Sequence, residues 1–354
     1  MVNFCSDNAT GVAPEILRAL EAANTGPAMP YGGDDWTRRV EARLAEVFET
    51  EVAAFPVGTG TAANVLALSV MTPPFGVVYC HREAHINVDE CGGTEFYTGG
   101  AKLCPLSGAH GKIGLETLRD AIFGVGKPHH AQPAAVSLTQ ATEAGTVYGP
   151  DEVAAVAEVA RAHGLHLHMD GARFANAVAA LGCAPAEATW KAGVDALSFG
   201  ATKNGGMSAE AVVFFKPALA ETFAYRRMKG GHLFSKMRFL SAQLEAYLTE
   251  GLWLRHAHHA NAMAARLADG LRALPGLEFV HPVQANELFL RLPEAMIAGL
   301  LSRGFEFYRW GPAEAQEVRL VTAFNTEPAD VEAFLSAARE LAGDAQKVSG
   351  VNGS

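Results

Sequence analysis

The sequence has no long apolar run. None of its hydrophobic stretches approaches the roughly 20 residues that cross a bilayer, so no membrane-spanning helix is expected. The first ten residues are polar and carry no apolar segment, which argues against a secretory leader. Cysteine is scarce: Cys5, Cys80, Cys91, Cys104 and Cys183 are odd in number, and none forms a Cys-x-x-Cys pair. That speaks against a disulfide framework and for reduced thiols in a cytoplasmic setting. Charge is sparse, at 19% of residues, and unbalanced towards acid, with a formal net charge of -10. An acidic chain of this kind argues against nucleic acid or an anionic membrane as the main partner. Repeats and low-complexity linkers are also missing. What remains is a chain of 354 residues, 49% hydrophobic, rich enough in apolar residues to pack one large and one smaller domain.

Short apolar runs alternate with helical patterns. Segments 53–57, 76–80, 134–139, 165–170, 196–199 and 211–215 read as buried strands. Stretches 61–71, 114–123, 150–163 and 172–181 read as the helices between them. Such alternation predicts an α/β fold, a mostly parallel sheet with helices on both faces. Residues 234–273 read as long and helical. Beyond them 277–342 reads as short strands and helices, with 288–292 and 318–322 the clearest strands. The expected division is a large domain over 1–250, a smaller C-terminal α/β domain over 251–346, and a polar, flexible tail over 347–354. In an open parallel sheet, ligands bind beyond the carboxyl ends of the strands.

Three such ends carry chemistry. After 53–57 comes Gly58-Thr59-Gly60-Thr61-Ala62-Ala63-Asn64, where glycines allow close approach of an anion, Thr61 is a candidate helix cap, and first-turn amides bind phosphate. An ordinary strand-to-helix turn would look the same. Asp170 ends the strand 165–170, and Gly171-Ala172-Arg173 follows. A carboxylate there suits the ring nitrogen of a pyridine cofactor, and Arg173 can fork a substrate carboxylate; a capping Asp with a surface Arg is the plain alternative. Lys203 sits in Gly200-Ala201-Thr202-Lys203-Asn204-Gly205-Gly206, an odd place for lysine unless its amine forms a Schiff base. His166 and His168 alternate on one strand and could be a ligand pair, but no further spaced Cys or carboxylate completes a site, so no metal is expected. His256, His258 and His259 read as surface residues.

Together these residues resemble the L-threonine aldolases of low specificity, fold-type-I pyridoxal-phosphate enzymes of the β-eliminating lyase/threonine aldolase family. The resemblance spans nearly the whole chain. It implies an aspartate-aminotransferase-like fold, pyridoxal 5'-phosphate as cofactor, and cleavage of L-threonine, L-allo-threonine and related β-hydroxy-α-amino acids to glycine and an aldehyde. Asp170-Gly171-Ala172-Arg173 is its most specific motif. By the resemblance, Gly60 and Thr61 bind phosphate, His85 stacks on the pyridine ring, Asp170 holds the ring nitrogen and Lys203 carries the Schiff base. Ser6, Arg173 and Arg319 take the substrate carboxylate. Tyr31, in Tyr31-Gly32-Gly33, and Arg227 reach the phosphate of a neighbouring subunit, Lys236 or Arg238 supplying a second cation. A homotetramer built as a dimer of dimers with shared sites follows.

One departure bears on catalysis. Where many relatives carry Glu-Asn-Thr-His, with the histidine on the substrate hydroxyl, this chain reads Thr139-Gln140-Ala141-Thr142-Glu143, and Thr142 is assigned the histidine's place. Threonine is no base near neutral pH. His85 is then the leading candidate base for the hydroxyl proton, with Glu143 second. The alternatives are an aldolase preferring phenylserine, another fold-type-I enzyme such as an aminotransferase, cysteine desulfurase or β-eliminating lyase, and a non-catalytic ligand-binding relative.

Overall fold

The computed structural model describes residues 2–351. Its thirteen strands are β1 (Val2–Asn3), β2 (Ala53–Val57), β3 (Gly76–His81), β4 (Lys102–Leu106), β5 (Gln132–Thr139), β6 (His166–Gly171), β7 (Ala196–Gly200), β8 (Glu210–Phe214), β9 (Glu278–Phe279), β10 (Glu287–Arg291), β11 (Phe305–Glu306), β12 (Tyr308–Trp310) and β13 (Glu317–Val321). Seven of them form the large sheet, in the order β2-β8-β7-β6-β5-β3-β4. β8 alone runs against its neighbours β2 and β7; the pairings from β7 through β6, β5 and β3 to β4 are parallel.

Both faces of this sheet are covered, which is why its strands read as unbroken apolar runs. Side chains alternate between faces with period two. Val77, Tyr79, Val136, Leu138, Leu167, Met169, Leu197 and Phe199 pack into one core, while Val78, Cys80, Ala135 and Ala196 pack into another on the opposite face. Each large side chain buried in this way contributes roughly 1.5–3 kcal/mol. The helix Gly60–Met71 has buried residues on every side because it is wedged among other elements. It stops at Thr72, before Pro73-Pro74, since the residue preceding proline avoids helical backbone.

The sequence reading missed β4. Its Pro105 lowers strand propensity, but β4 is the outer strand of the sheet, the position where proline is tolerated. The long helical stretch read over 234–273 is two helices, Arg238–Leu248 and Leu252–Arg272. A turn separates them in which Glu250 and Gly251 take left-handed φ values of 51° and 67°.

The smaller domain holds a four-stranded antiparallel sheet, β12-β13-β10-β9, and its own core of Leu288, Leu290, Val318, Leu320, Phe334 and neighbours. The N-terminal segment belongs to this core as well. β1 pairs with β11, and Phe4 packs edge-on against Phe334 with ring centroids 5.4 Å apart. The last helix runs Pro328–Val351, so 347–351, read as tail, continue a helix; 352–354 lie outside the described residues. Among the described residues no helix is long and apolar enough to cross a membrane.

Candidate active site

The carboxyl ends of β2, β6 and β7 open into one cavity of about 270 Å³, lined by Gly58, Thr59, Gly60, Thr61, Asp170 and Lys203 among others. At one end lies the N-terminus of the helix Gly60–Met71. Its cap is Thr59, whose Oγ1 accepts from the Ala62 amide at 3.1 Å; this corrects the assignment of the cap to Thr61. Thr61 lies within the first turn and lines the cavity instead. Free amides and the positive pole of the helix dipole make this end an anion cradle. Ser208 Oγ donates to the Gly58 carbonyl at 2.6 Å and ties the cradle to the turn before β8.

At the other end stands Asp170, 3% exposed. Its Oδ1 accepts from the Ala172 amide at 3.0 Å and its Oδ2 from Asn64 Nδ2 at 2.8 Å. Asn64 also donates to Glu90 Oε1 at 3.0 Å, and Glu90 Oε1 holds His85 Nδ1 at 2.8 Å. One chain of contacts thus runs from the strand-end carboxylate to the histidine. Burial pushes the Glu90 carboxyl up, and the hydrogen bond that His85 donates to Glu90 pushes the His85 imidazolium up. Glu90 was not foreseen; a carboxylate five residues beyond His85 was its only signal in the sequence.

Lys203 occupies a single 3-10 turn, Thr202–Asn204, whose neighbours fix it. Glu210 Oε2 accepts from the Ala201 amide at 2.9 Å. Asn204 Nδ2 donates to Tyr247 Oη at 2.7 Å and to the Trp253 carbonyl at 2.8 Å. Gly205, at φ 108°, closes the turn in a conformation that disfavours a side chain. Burial pushes the Glu210 carboxyl up to about 7. His256 is not a surface residue as read: it is half-buried, with Nδ1 2.9 Å from the Asn204 carbonyl oxygen.

A second cavity of about 490 Å³ adjoins the first, and Asn8, His85, Glu143 and Lys203 line both. Ser6, Arg173 and Arg319 line this second space, as do Phe289, Trp310 and His281. Arg173 is buried, not superficial. Its Nε and Nη2 fork Asp7 at 2.7 and 2.9 Å, and Nη1 lies 3.3 Å from Glu287. The guanidinium holds the Asp7 carboxyl below its usual range. Burial pushes the Glu287 carboxyl up. Arg319 donates from Nη2 to the Cys5 carbonyl at 3.1 Å and sits over the Trp310 ring. Asp7 and Glu287 were also missed: the first lies beside Ser6, and the second is an acid at the start of a strand, which nothing in a local pattern flags.

Other expected site residues lie elsewhere. Thr142 is fully buried and lines neither cavity. Its Oγ1 lies 2.8 Å from Thr146 Oγ1, donates to the His110 carbonyl at 3.2 Å and accepts the Ala144 and Thr146 amides. The turn consumes this hydroxyl, so its assignment to the substrate is corrected. Arg227 is buried behind β2, donating to the Pro56 carbonyl at 3.4 Å over the Phe55 ring; burial lowers its guanidinium to about 10. It lines neither cavity of its own chain. Tyr31 is exposed, its amide bonded to the Ser235 carbonyl at 3.2 Å. His166 pairs with Asp195 at 3.4 Å, whereas His168 is buried between Ser137 and Ser198.

A phosphorylated pyridine aldehyde fits this donor set. It requires an anion cradle, a carboxylate for a ring nitrogen and an amine for the aldehyde, and one cavity presents all three.

Comparison with known proteins agrees. The sequence model of the β-eliminating lyase family matches residues 3–295. A low-specificity L-threonine aldolase of a Pseudomonas species is 44% identical over 346 residues, covering 98% of this chain and 97% of its own. That of Pseudomonas aeruginosa is 44% identical over 348 residues, covering 98% of each. Among solved structures, a threonine aldolase of Leishmania major superposes with a TM-score of 0.91 at 28% identity, over 97% of this chain and 100% of its own. A cradle, carboxylate and lysine in one cleft, on a fold shared end to end with these relatives, mean that the chain belongs to the β-eliminating lyase/threonine aldolase family.

Proposed function

We propose that this protein cleaves L-threonine and related β-hydroxy-α-amino acids to glycine and an aldehyde, with pyridoxal 5'-phosphate as its cofactor. The observation that carries the reading is the junction of two cavities at Lys203. One side has a cofactor's donor set; the other has the arginines and hydroxyl that suit an amino-acid carboxylate.

The bound cofactor supplies an electron sink for the pair released when a bond to Cα breaks. The chain decides which bond that is. Gly60, Thr61 and the helix N-terminus would hold the phosphate, while Lys203 would anchor the aldehyde end. Asp170, held by Asn64 and the Ala172 amide, keeps a proton on the ring nitrogen. His85, fixed through Nδ1 by Glu90, would pack against the ring. Arg173, aimed by Asp7, acts with Arg319 and Ser6 on the substrate carboxylate and so sets the rotation about the Cα–N bond. Removal of the substrate's hydroxyl proton by a base in this cavity would then direct cleavage to the Cα–Cβ bond.

The decisive assay incubates the cofactor-loaded protein with L-threonine. Equal amounts of glycine and acetaldehyde are expected. A keto acid in their place would mean transamination or, with ammonia released, β-elimination, and would end this reading. Within the class, aryl β-substituents gain support from Phe289 and Trp310, whose rings meet at 5.6 Å on the wall of the second cavity. Initial rates on threonine, allo-threonine and phenylserine measure that preference. We also propose a homotetramer in the cytoplasm, with Tyr31 and Arg227 facing a neighbouring subunit's site; sedimentation at equilibrium tests the subunit number.

A further inference from the structure

The loop after β5 is tied down at all but one of its polar side chains. Gln140 clamps Tyr148, donating from Nε2 to its carbonyl at 2.9 Å and accepting its amide at 3.0 Å. Thr142 is consumed by the turn, as described above. Glu143 is left, half-buried on the boundary of the two cavities, and its carboxylate has no hydrogen-bond partner among the described residues. Of the other residues on that boundary, Lys203 is reserved for the cofactor, and Asn8 is no base. His85 has Nδ1 tied to Glu90, which biases its imidazole towards keeping its proton. We propose that Glu143, not His85, is the base that takes the β-hydroxyl proton of the substrate.

This proposal rests on the aldolase reading. In the step, a Glu143 oxygen takes the proton and the O–H pair becomes the second C–O bond of the departing aldehyde. The Cα–Cβ bond breaks, its pair staying with Cα. A proton then forms a new C–H bond at Cα, giving glycine, and Glu143 releases its own proton to solvent. Lys203, Asp170, Arg173 and Glu287 face the carboxyl, His85 lies across the same cavity, and burial pushes Glu143 up to about 7. A base of that strength is half ionised near neutral pH, where general bases work best.

Glycine lacks the hydroxyl, which allows a separation. Exchange of its α-protons in deuterated water needs the cofactor, Asp170 and Lys203 but no base for a β-hydroxyl. Holoenzyme carrying Glu143→Gln is expected to keep its visible absorbance and to exchange glycine protons within about threefold of wild type. Its turnover of threonine falls by about 100-fold or more, the usual scale for a lost general base. Glu143→Asp, which keeps the carboxylate, recovers at least about tenfold of that loss. In wild type, kcat/KM falls as pH drops through about 7, and Glu143→Gln loses this limb. Threonine cleavage in Glu143→Gln within about threefold of wild type overturns the proposal. So does an equal loss of glycine exchange, or Glu143→Asp cleaving no faster than Glu143→Gln. Selective loss of threonine cleavage in His85→Asn, with Glu143→Gln active, returns the role to His85. If wild type releases no aldehyde, the aldolase reading fails before any variant is compared.

Discussion

Single side chains at this site do their work through what holds them. Asp170 is gripped by an amide and by Asn64, which leaves its carboxylate a fixed charge facing the cavity. Lys203 sits in a turn pinned on one flank by Glu210 and on the other by Asn204. Preorganisation of this kind means that the lysine cannot be replaced by solvent amine at the same geometry. Lys203→Ala, loaded with cofactor and desalted, is expected to show neither the visible absorbance of the wild-type protein nor threonine cleavage. A variant with the wild-type spectrum would remove Lys203 from its role.

At the scale of elements, the central strands are stitched by polar side chains inside an apolar sheet. His168, on β6, lies 2.9 Å from Ser137 Oγ on β5 and 3.0 Å from Ser198 Oγ on β7. Burial pushes its imidazole down to about 4. The folded chain therefore keeps His168 neutral at pH values where the unfolded chain, at an ordinary value near 6.5, binds a proton. Between about pH 6.5 and 4 the unfolded state holds more protons, so stability falls as acid is added. The loss is on the order of 3 kcal/mol once pH is below both values. Urea unfolding of His168→Gln is expected to show a shallower decline over that interval. A slope equal to wild type would mean that another group carries it. The same elements show what pattern reading recovers. β6 and β7 were legible as apolar runs because both faces of the sheet are covered. β4 was not, since Pro105 hid an edge strand, and the break at Glu250–Gly251 was hidden inside a continuous helical periodicity.

Across the whole molecule, the N-terminal segment joins the two cores at the substrate cavity. Phe4 packs in the smaller core, and three residues later Asp7 forks Arg173, which follows a strand of the large sheet. Asn286 of the smaller domain donates to the same carboxylate at 3.1 Å. Asp7→Ala strips a buried guanidinium of its bidentate partner and leaves only Glu287. It is expected to cost about 2–4 kcal/mol of stability. It should also raise KM for threonine at least about tenfold and lower kcat with it, because Arg173 both binds the carboxylate and orients it for bond breaking. Chemical denaturation and initial-rate kinetics read the two effects; unchanged KM would detach Asp7 from the substrate.

The sequence by itself determined the layered α/β fold and the positions of Gly60, Asp170, Arg173 and Lys203. Period-two burial and strand-end loops are local properties, written in consecutive residues. Only the tertiary structure decided which acids serve them. Asp7 and Glu287 come from stretches distant from Arg173, and Glu90 and Glu210 from nearer their partners; each gains its role from burial beside a cation, an amide or an imidazole. Which of Thr142 and Glu143 lines the cavity was decided there too. Adjacent residues of a turn point in different directions, and it took the packed loop to turn the hydroxyl inward and leave the carboxylate facing the cavity.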